Sequence, residues 1–367
     1  MSRFSDDGLR DVAIRENRLL SCTLELTPKC NFRCKMCGYS MTDAQCESIH
    51  YHALSLFEWM RILAELKKIG VLLVTLTGGE PLLFPGFEKI YTFLKENGFQ
   101  VAIKTNGYLV DSYRWLFEKY PPCKVYISVY GWTDETYRDV TGIADAAQKV
   151  KDAIGFFSGI SVPVQTAFVA LKNNYWDKAG YDEYFLNPPK GVAKGILTDI
   201  YPHVVDESFS SAVQYRLTPV MRVAWENTVP FCDEAFLEKV QSLVKRRQEI
   251  CLDDVWGVAE ASKTVKRCLS AQSSCFIGSD GKMRYCATSR YIATEPLLHG
   301  VEPAWKQLID QQDLHFVIPS KCAGCKLRNQ CLFNCPSRCY VGGHSLVKPP
   351  DYLCEYTILK CIDKRVL

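Results

Sequence analysis

The sequence predicts an α/β protein with a partial (β/α)6 barrel followed by a small cysteine-rich domain. Short extended apolar runs alternate with helical segments over the first two-thirds of the 367 residues, which favours parallel strands joined by right-handed helical crossovers. Of the 18 cysteines, three fall between positions 30 and 37 and ten follow position 267. We therefore expect an amino-terminal segment at 1–20, the barrel at 21–225, a helical linker at 226–264 and the cysteine-rich domain at 265–367.

Extended apolar runs define the six predicted strands, at residues 23–26, 72–76, 101–104, 124–129, 162–169 and 213–217. Between the first two strands, residues 56–69 carry apolar side chains at three- and four-residue intervals and are followed by Gly70, a pattern typical of an amphipathic helix. Residues 87–96 repeat this pattern before Asn97 and Gly98. In such a barrel, functional residues are expected at the carboxyl ends of the strands.

The composition narrows the possible function classes. The formal net charge is only +3 and the basic residues are dispersed apart from a run at 245–247, so the chain lacks the basic surface that binds a nucleic-acid backbone. No apolar run is long enough to span a bilayer, and the amino terminus is charged where a signal peptide would be apolar. We expect a cytoplasmic protein that binds neither nucleic acid nor membrane. Because cytosolic thiols stay reduced, the many cysteines favour metal or cluster ligation over disulfides.

A loop after the first predicted strand carries three cysteines, Cys30, Cys34 and Cys37, with C-x3-C-x2-C spacing. Three thiolates in one loop can surround one metal centre. A cubane cluster has four irons, so three cysteine ligands leave one iron with an open coordination position. The alternative is a zinc loop completed by His50 or His52, although structural zinc favours paired C-x2-C knuckles.

This loop resembles the signature of the radical S-adenosylmethionine (SAM) enzymes. The resemblance implies a 4Fe-4S cluster whose open iron is chelated by the amino and carboxylate groups of SAM. After the second strand, Gly78, Gly79 and Glu80 are similar to the GGE motif of that family. The family's glycines admit the cofactor closely, and the acid and nearby carbonyls receive its ammonium group. Without the family context, this Gly-Gly pair would be read as a turn.

The same resemblance implies further contacts with SAM. Asn106 and Ser128, at the ends of the third and fourth strands, correspond to positions that bind the cofactor's ribose or carboxylate. Met36 stands directly before the third cysteine, where family members place a bulky residue beside the adenine. The alternatives are ordinary strand capping for the two polar residues and loop packing for the methionine.

The carboxyl-terminal cysteines resemble the SPASM domain, which holds two auxiliary 4Fe-4S clusters. The matching spacings are C-x12-G-x4-C and C-x2-C-x5-C-x3-C-x18-C. By this resemblance, the first auxiliary cluster would be held by Cys268, Cys275, Cys286 and Cys335. The second would be held by Cys322, Cys325, Cys331 and Cys354. The alternative is two zinc sites, and Cys339 and Cys361 are spare thiols that could replace an assigned ligand.

The resemblance implies reductive cleavage of SAM to methionine and a 5′-deoxyadenosyl radical, which abstracts hydrogen from a peptide or protein substrate. SPASM-bearing relatives form thioether or carbon–carbon cross-links in ribosomally made peptides, or convert a sulfatase residue to formylglycine. Sulfatase maturases carry an aspartate where this chain has Ala287, and tend to read Ser-x-Asp-Gly where it has Ser128-Val-Tyr130-Gly. Peptide cross-linking is therefore favoured. A small-molecule substrate and a non-catalytic metal protein are the remaining alternatives.

Three polar residues on or beside predicted strands, Tyr130, Gln165 and Arg216, are the candidates for proton acceptor or substrate anchor. Interior polar residues often only satisfy one another, which is the alternative for each. Because Cys30 comes so early, we expect no amino-terminal leader-binding domain. A separate leader-peptide recognition protein, or direct recognition of the substrate, must then replace it. The resemblance also implies a reductase partner such as flavodoxin or ferredoxin.

Overall fold

The computed structural model describes residues 6–34, 37, 41, 46–47, 50–170, 174, 192–199, 272–287, 289, 292–311 and 325. Its strands are β1 (Ser21–Glu25), β2 (Leu73–Thr77), β3 (Gln100–Thr105), β4 (Lys124–Val129), β5 (Val164–Ala170), β6 (Val192–Asp199), β7 (Ser274–Ile277) and β8 (Met283–Arg284). Its α-helices are α1 (Asp6–Arg15), α2 (Leu56–Lys68), α3 (Phe87–Glu96), α4 (Arg114–Lys119), α5 (Asp134–Thr141), α6 (Ala146–Gly159), α7 (Pro296–His299) and α8 (Val301–Asp310). Two 3-10 helices span Pro81–Leu83 and Val110–Tyr113. Across these ranges, every helix is too short or too polar to cross a membrane.

The described strands form one sheet in the order β6-β5-β4-β3-β2-β1-β7-β8. All neighbouring pairs are parallel except β7 and β8, which are antiparallel. The predicted parallel α/β architecture is confirmed, and the first five strands lie within two residues of their predicted positions.

The strand that pairs with β5 is β6, at Val192–Asp199, where the sequence pattern had not indicated a strand. The predicted strand at 213–217 lies outside the described residues. β7 comes from the segment predicted to be the cysteine-rich domain, yet it pairs with β1 and so extends the barrel sheet. The predicted domain boundaries themselves stay a prediction.

The two faces of the sheet differ in polarity. On β4, Val125, Ile127 and Val129 are fully buried against the helical layer, and the intervening residues are partly exposed on the opposite, inner face. The helical side holds the hydrophobic core. The inner face is left to polar side chains, which is where a site can form.

Helix α2 is hydrogen-bonded to the chain directly after β1. The helix begins at Ser55, whose side chain accepts a hydrogen bond from the backbone of Glu58 while the Glu58 carboxylate bonds back to Ser55, a capping box. Its fully buried Trp59 donates from Nε1 to the Leu26 carbonyl oxygen at 3.3 Å. This contact anchors the chain one residue beyond β1, immediately before the cysteine loop.

Helix α8 ties the carboxyl-terminal part of the described chain to the start of β1. Trp305 donates from Nε1 to the Asn17 carbonyl oxygen at 2.8 Å. The Tyr285 hydroxyl, which follows β8, donates to the Leu308 carbonyl oxygen at 2.7 Å. The residues from 274 to 287 are therefore held beside β1, where they form one wall of the inner cavity.

Candidate functional site

A cavity of about 590 Å³ opens on the inner face of the sheet. It is bordered by β1, β3, β4 and β7, by the segment after β2 and by the cysteine loop, and all three cysteines of that loop, Cys30, Cys34 and Cys37, line it. The structure thus brings the predicted cluster ligands to the carboxyl ends of parallel strands.

The cysteine loop is held in place by backbone hydrogen bonds and by one aromatic side chain. Thr27 and Lys29 each accept a backbone hydrogen bond of 2.8 Å from the segment after β2, and the Arg33 amide donates to Thr141 at 2.8 Å. Phe32 is buried between the rings of Tyr108, Tyr130 and Tyr137, with centroid distances of 5.8 to 6.3 Å. The loop is therefore built into the fold at several points.

The thiols of this loop lie in a desolvated environment. Burial raises the pKa of Cys30 to about 12 and raises the pKa of Cys34 well above its ordinary value. Thiolates at such a place need a metal to compensate their charge. Within the described residues, no three Cys, His, Asp or Glu side chains are arranged around a single ion.

Gly78 and Gly79, which line the cavity, permit a close approach between two backbone segments. A Cβ at Gly79 would lie 2.3 Å from the Lys29 carbonyl oxygen and 2.7 Å from that of Pro28. A Cβ at Gly78 would lie 2.7 Å from the Thr27 carbonyl oxygen. The glycines are thus required by contact with the cysteine loop itself, in addition to any room they leave for a cofactor.

Glu80 is fully buried and its carboxylate is occupied by protein donors. It accepts hydrogen bonds from Thr105 Oγ1 and the Asn106 amide, both at 2.8 Å, and from the Leu82 amide at 3.2 Å. Burial raises its pKa to about 7 against these hydrogen bonds. The carboxylate fixes the end of β3, while its predicted contact with the SAM ammonium group stays a prediction.

The two predicted strand-end residues, Asn106 and Ser128, both line the cavity. The Asn106 side chain donates from Nδ2 to Asn31 Oδ1 at 2.8 Å and lies 3.7 Å from Cys30 Sγ. Asn31 Nδ2 is buried and has no hydrogen-bond partner among the described residues. Tyr130 also lines the cavity, where burial raises the pKa of its hydroxyl well above the ordinary value and the thiol of Cys34 lies close by.

Residues 24–178 match the family model of the Radical SAM superfamily. The chain carries a radical SAM domain. Among curated relatives, the probable GTP 3′,8-cyclase of Saccharolobus islandicus (strain M.14.25 / Kamchatka #1) is 28% identical over 181 residues, 49% of this chain and 56% of that protein. The sporulation killing factor maturation protein SkfB of Bacillus subtilis (strain 168) is 25% identical over 239 residues, 59% of this chain and 57% of that protein. The chain thus spans a little over half the length of these relatives.

Solved structures show the same fold. SuiB of Streptococcus suis bound to S-adenosylmethionine superposes with a TM-score of 0.63 at 16% identity, covering 96% of this chain and 84% of SuiB. Native anSMEcpe with bound AdoMet gives a TM-score of 0.59 at 17% identity, covering 94% of this chain and 97% of that one. The likeness therefore extends beyond the radical SAM domain.

Other predicted site residues lie apart from the cavity of the radical SAM domain or outside the described residues. Gln165 is on the inner face of β5, where its Oε1 accepts a hydrogen bond from Lys124 Nζ at 2.7 Å, and it does not border the cavity. Cys325 is exposed. The predicted site residues outside the described ranges are Met36, Arg216, Cys268, Cys322, Cys331, Cys335 and Cys354.

Cys275 and Cys286, predicted ligands of the first auxiliary cluster, both border the cavity of the radical SAM domain. The Cys275 sulfur, however, lies only 3.3 Å from that of Cys22, its register partner on β1, and both side chains are buried in the hydrophobic core. Cys22 was not expected to be a ligand, and whether Cys275 binds a cluster stays a prediction.

Two charged residues of the cavity had no predicted role: Glu25 on β1 and Lys104 on β3. For Lys104 a sequence signal existed. Its position two residues before Asn106 was the available signal, since alternate residues of a strand share a face. An exposed lysine before a strand end is common, so this pattern alone did not indicate a function.

Proposed function

We propose that this chain is a radical SAM enzyme that binds a 4Fe-4S cluster through Cys30, Cys34 and Cys37 and modifies a peptide or protein. The observation that carries the proposal is that these three thiols share one cavity with the Gly78-Gly79 segment and with the polar ends of β3 and β4. With cluster and SAM bound, the cofactor supplies a 5′-deoxyadenosyl radical for hydrogen abstraction.

The protein's own residues position the cofactor and exclude water from the site. Asn106 and Ser128 offer hydrogen-bonding groups at the strand ends, and we infer that they bind the ribose or carboxylate of SAM. Phe32 and the tyrosines around it form an apolar wall behind the cysteine loop. Such a wall limits water near a reactive carbon, and fixed polar groups hold the substrate hydrogen within reach.

A peptide substrate is favoured by the relatives. SkfB is named as a maturation protein for sporulation killing factor, and one SuiB structure, with a TM-score of 0.61, contains the precursor peptide SuiA. We infer a cross-linking oxidation in preference to formylglycine formation, because Ala287, which borders the cavity, has no group that could accept a proton. A flavodoxin or ferredoxin would supply electrons in the cytoplasm.

We also propose two auxiliary clusters, with Cys286, which lines the cavity, as one ligand of the first. Cys275 is left out of this proposed ligand set, since its sulfur is buried beside Cys22. The remaining ligands would come from the cysteines at 268 and after 321, with Cys339 and Cys361 available as replacements.

Anaerobic reconstitution with iron and sulfide tests this function. Three cubanes predict about twelve irons per chain, and reduction with dithionite in the presence of SAM should yield 5′-deoxyadenosine. The Cys30→Ala variant should form no 5′-deoxyadenosine and should bind about four fewer irons per chain. Cys123→Ala, at a half-buried cysteine outside the cavity, should retain both. Zinc in place of iron, or an intact iron content without 5′-deoxyadenosine, would refute the proposal.

A further inference from the structure

Lys104 is a cation in the cavity that forms no ion pair or hydrogen bond with the described residues. It lies on β3, in the middle of the sheet between β2 and β4, and its neighbours Ile103 and Thr105 are buried. The side chain is exposed although the strand is central. Its accessible surface must therefore face the inner cavity, which it lines.

The surroundings of Lys104 supply weak compensation for its charge. The ammonium group lies 5.7 Å from the centroid of the Tyr126 ring, near the outer limit of a cation–π contact. No described carboxylate forms an ion pair with it. Desolvation lowers its pKa, because the ammonium ion is partly removed from water. An anion that binds beside such a cation is therefore expected to lower the free energy of the site.

The neighbouring charged groups are already engaged. Lys124, on the same face, donates to Gln165 and lies 4.6 Å from the Tyr126 ring centroid. Glu25, which also lines the cavity, is 3% exposed and accepts hydrogen bonds of 3.0 Å from both the amide and the hydroxyl of Ser279. Lys104 differs from both in having neither a hydrogen bond nor an ion pair within the described part of the chain.

The depth of Lys104 indicates which molecule presents the anion. Asn106, expected to contact SAM, comes two residues later, directly after β3, and two extended residues span about 6.6 Å. In register with Lys104 are Tyr126 and then Gln165, one row below the strand ends. An anion bound in this row lies beneath the expected cofactor layer, where a substrate would approach.

The charge of the cavity indicates the class of anion. Among its described lining residues, Lys104 is the one lysine or arginine, and the acidic Glu25 lies in the same cavity. A diphosphate or triphosphate would require several cations, whereas a single ammonium group matches one carboxylate. We propose that Lys104 binds a carboxylate of the peptide substrate and so selects substrates with an acidic residue near the modified position. This inference rests on the proposed function.

Residue-specific labelling tests the proposal on the full-length, anaerobically reconstituted protein saturated with SAM. The acetylation rates of Lys104 and of Lys89, an exposed lysine on α3, are followed by mass spectrometry with N-acetyl-aspartate N-methylamide or its asparagine analogue as the probe. The aspartate probe should slow labelling of Lys104 but not of Lys89. Its half-maximal concentration should be about tenfold to hundredfold lower than that of the asparagine probe, as expected for one charge-assisted hydrogen bond.

Substitution of the lysine separates the possible sources of the anion. Lys104→Gln should lose the selectivity for acidic peptides, and Lys104→Arg should retain it. Equal protection by both probes, stronger protection by inorganic pyrophosphate, or a tenfold weaker affinity of Lys104→Gln for SAM would each overturn the proposal. Absence of 5′-deoxyadenosine from the wild-type protein would instead refute the proposed function.

Discussion

Replacing Gly79 by alanine tests whether the segment after β2 holds the cysteine loop at its working distance. The new Cβ would lie 2.3 Å from the Lys29 carbonyl oxygen, 2.6 Å from its carbonyl carbon and 2.7 Å from the Pro28 carbonyl oxygen. All three are backbone atoms, so no side-chain rotation relieves the overlap. The loop must move away, and the 2.8 Å hydrogen bonds from Gly79 to Thr27 and from Glu80 to Lys29 would break.

The free-energy cost of the Gly79→Ala substitution follows from these contacts. Two backbone hydrogen bonds contribute about 1–3 kcal/mol, and overpacking adds typically about 1–3 kcal/mol. The sum of about 2–6 kcal/mol approaches the total stability of many domains, so local detachment of the loop costs less than keeping it in contact. We therefore expect Gly79→Ala to keep its far-ultraviolet circular dichroism spectrum but to lose about four irons per chain and the formation of 5′-deoxyadenosine.

The matched control is Gly155→Ala on helix α6, where an added Cβ meets nothing within 4 Å. Alanine at that exposed helical site should raise the unfolding free energy by up to about 1 kcal/mol and leave the iron content unchanged. If Gly79→Ala retained the full iron content and wild-type cleavage of SAM, the contact between the two segments would not position the cluster ligands, and the reasoning would be wrong.

Three further predictions concern the cysteines after β6, Glu80 and a buried ion pair. Cys275→Ala should retain about twelve irons per chain while Cys286→Ala loses about four; equal losses from both variants would show that Cys275 is a ligand after all. In the metal-free protein, the unfolding free energy should fall by about 3 kcal/mol between pH 4.5 and 8. The reason is that Glu80 binds its proton with a pKa of about 7 in the folded state rather than 4.5. Denaturant titrations of Glu80→Gln should show no such dependence of the unfolding free energy on pH. An unchanged dependence would exclude Glu80 as its source. Asp280→Asn breaks a 2.6 Å ion pair with Arg284 that is largely buried, which should lower the unfolding free energy by about 3 kcal/mol, and a loss below about 1 kcal/mol would show that water replaces the pair.

The strands and the cysteine loop could be predicted from the sequence because both are encoded locally. Alternation of apolar residues located β1 to β5, and the spacing of the apolar residues together with Gly70 located α2, whose capping box then confirmed its start. The cluster ligands lie within eight residues of one another, so their proximity needed no knowledge of the fold.

Features that depend on long-range pairing could not be predicted in this way. The contact between Cys22 and Cys275 joins residues 253 positions apart, and it arises only because β7 pairs with β1. A motif match assigned Cys275 to a cluster without any knowledge of which face of the sheet it would occupy. Lys104 was overlooked for a similar reason, since its isolation from carboxylates is a property of the assembled cavity.

Glu80 shows why an acidic residue follows the two glycines, independently of any cofactor contact. Its amide donates to Lys29 in the cysteine loop, while its carboxylate holds the Asn106 amide at the end of β3. Asn106 in turn donates to Asn31, which follows Cys30 directly. Glu80 therefore connects the cysteine loop, through its backbone amide, to the end of β3, through its carboxylate. Glutamine would present an amide donor to at least one of these donors, so it cannot complete the connection even though its shape is nearly the same.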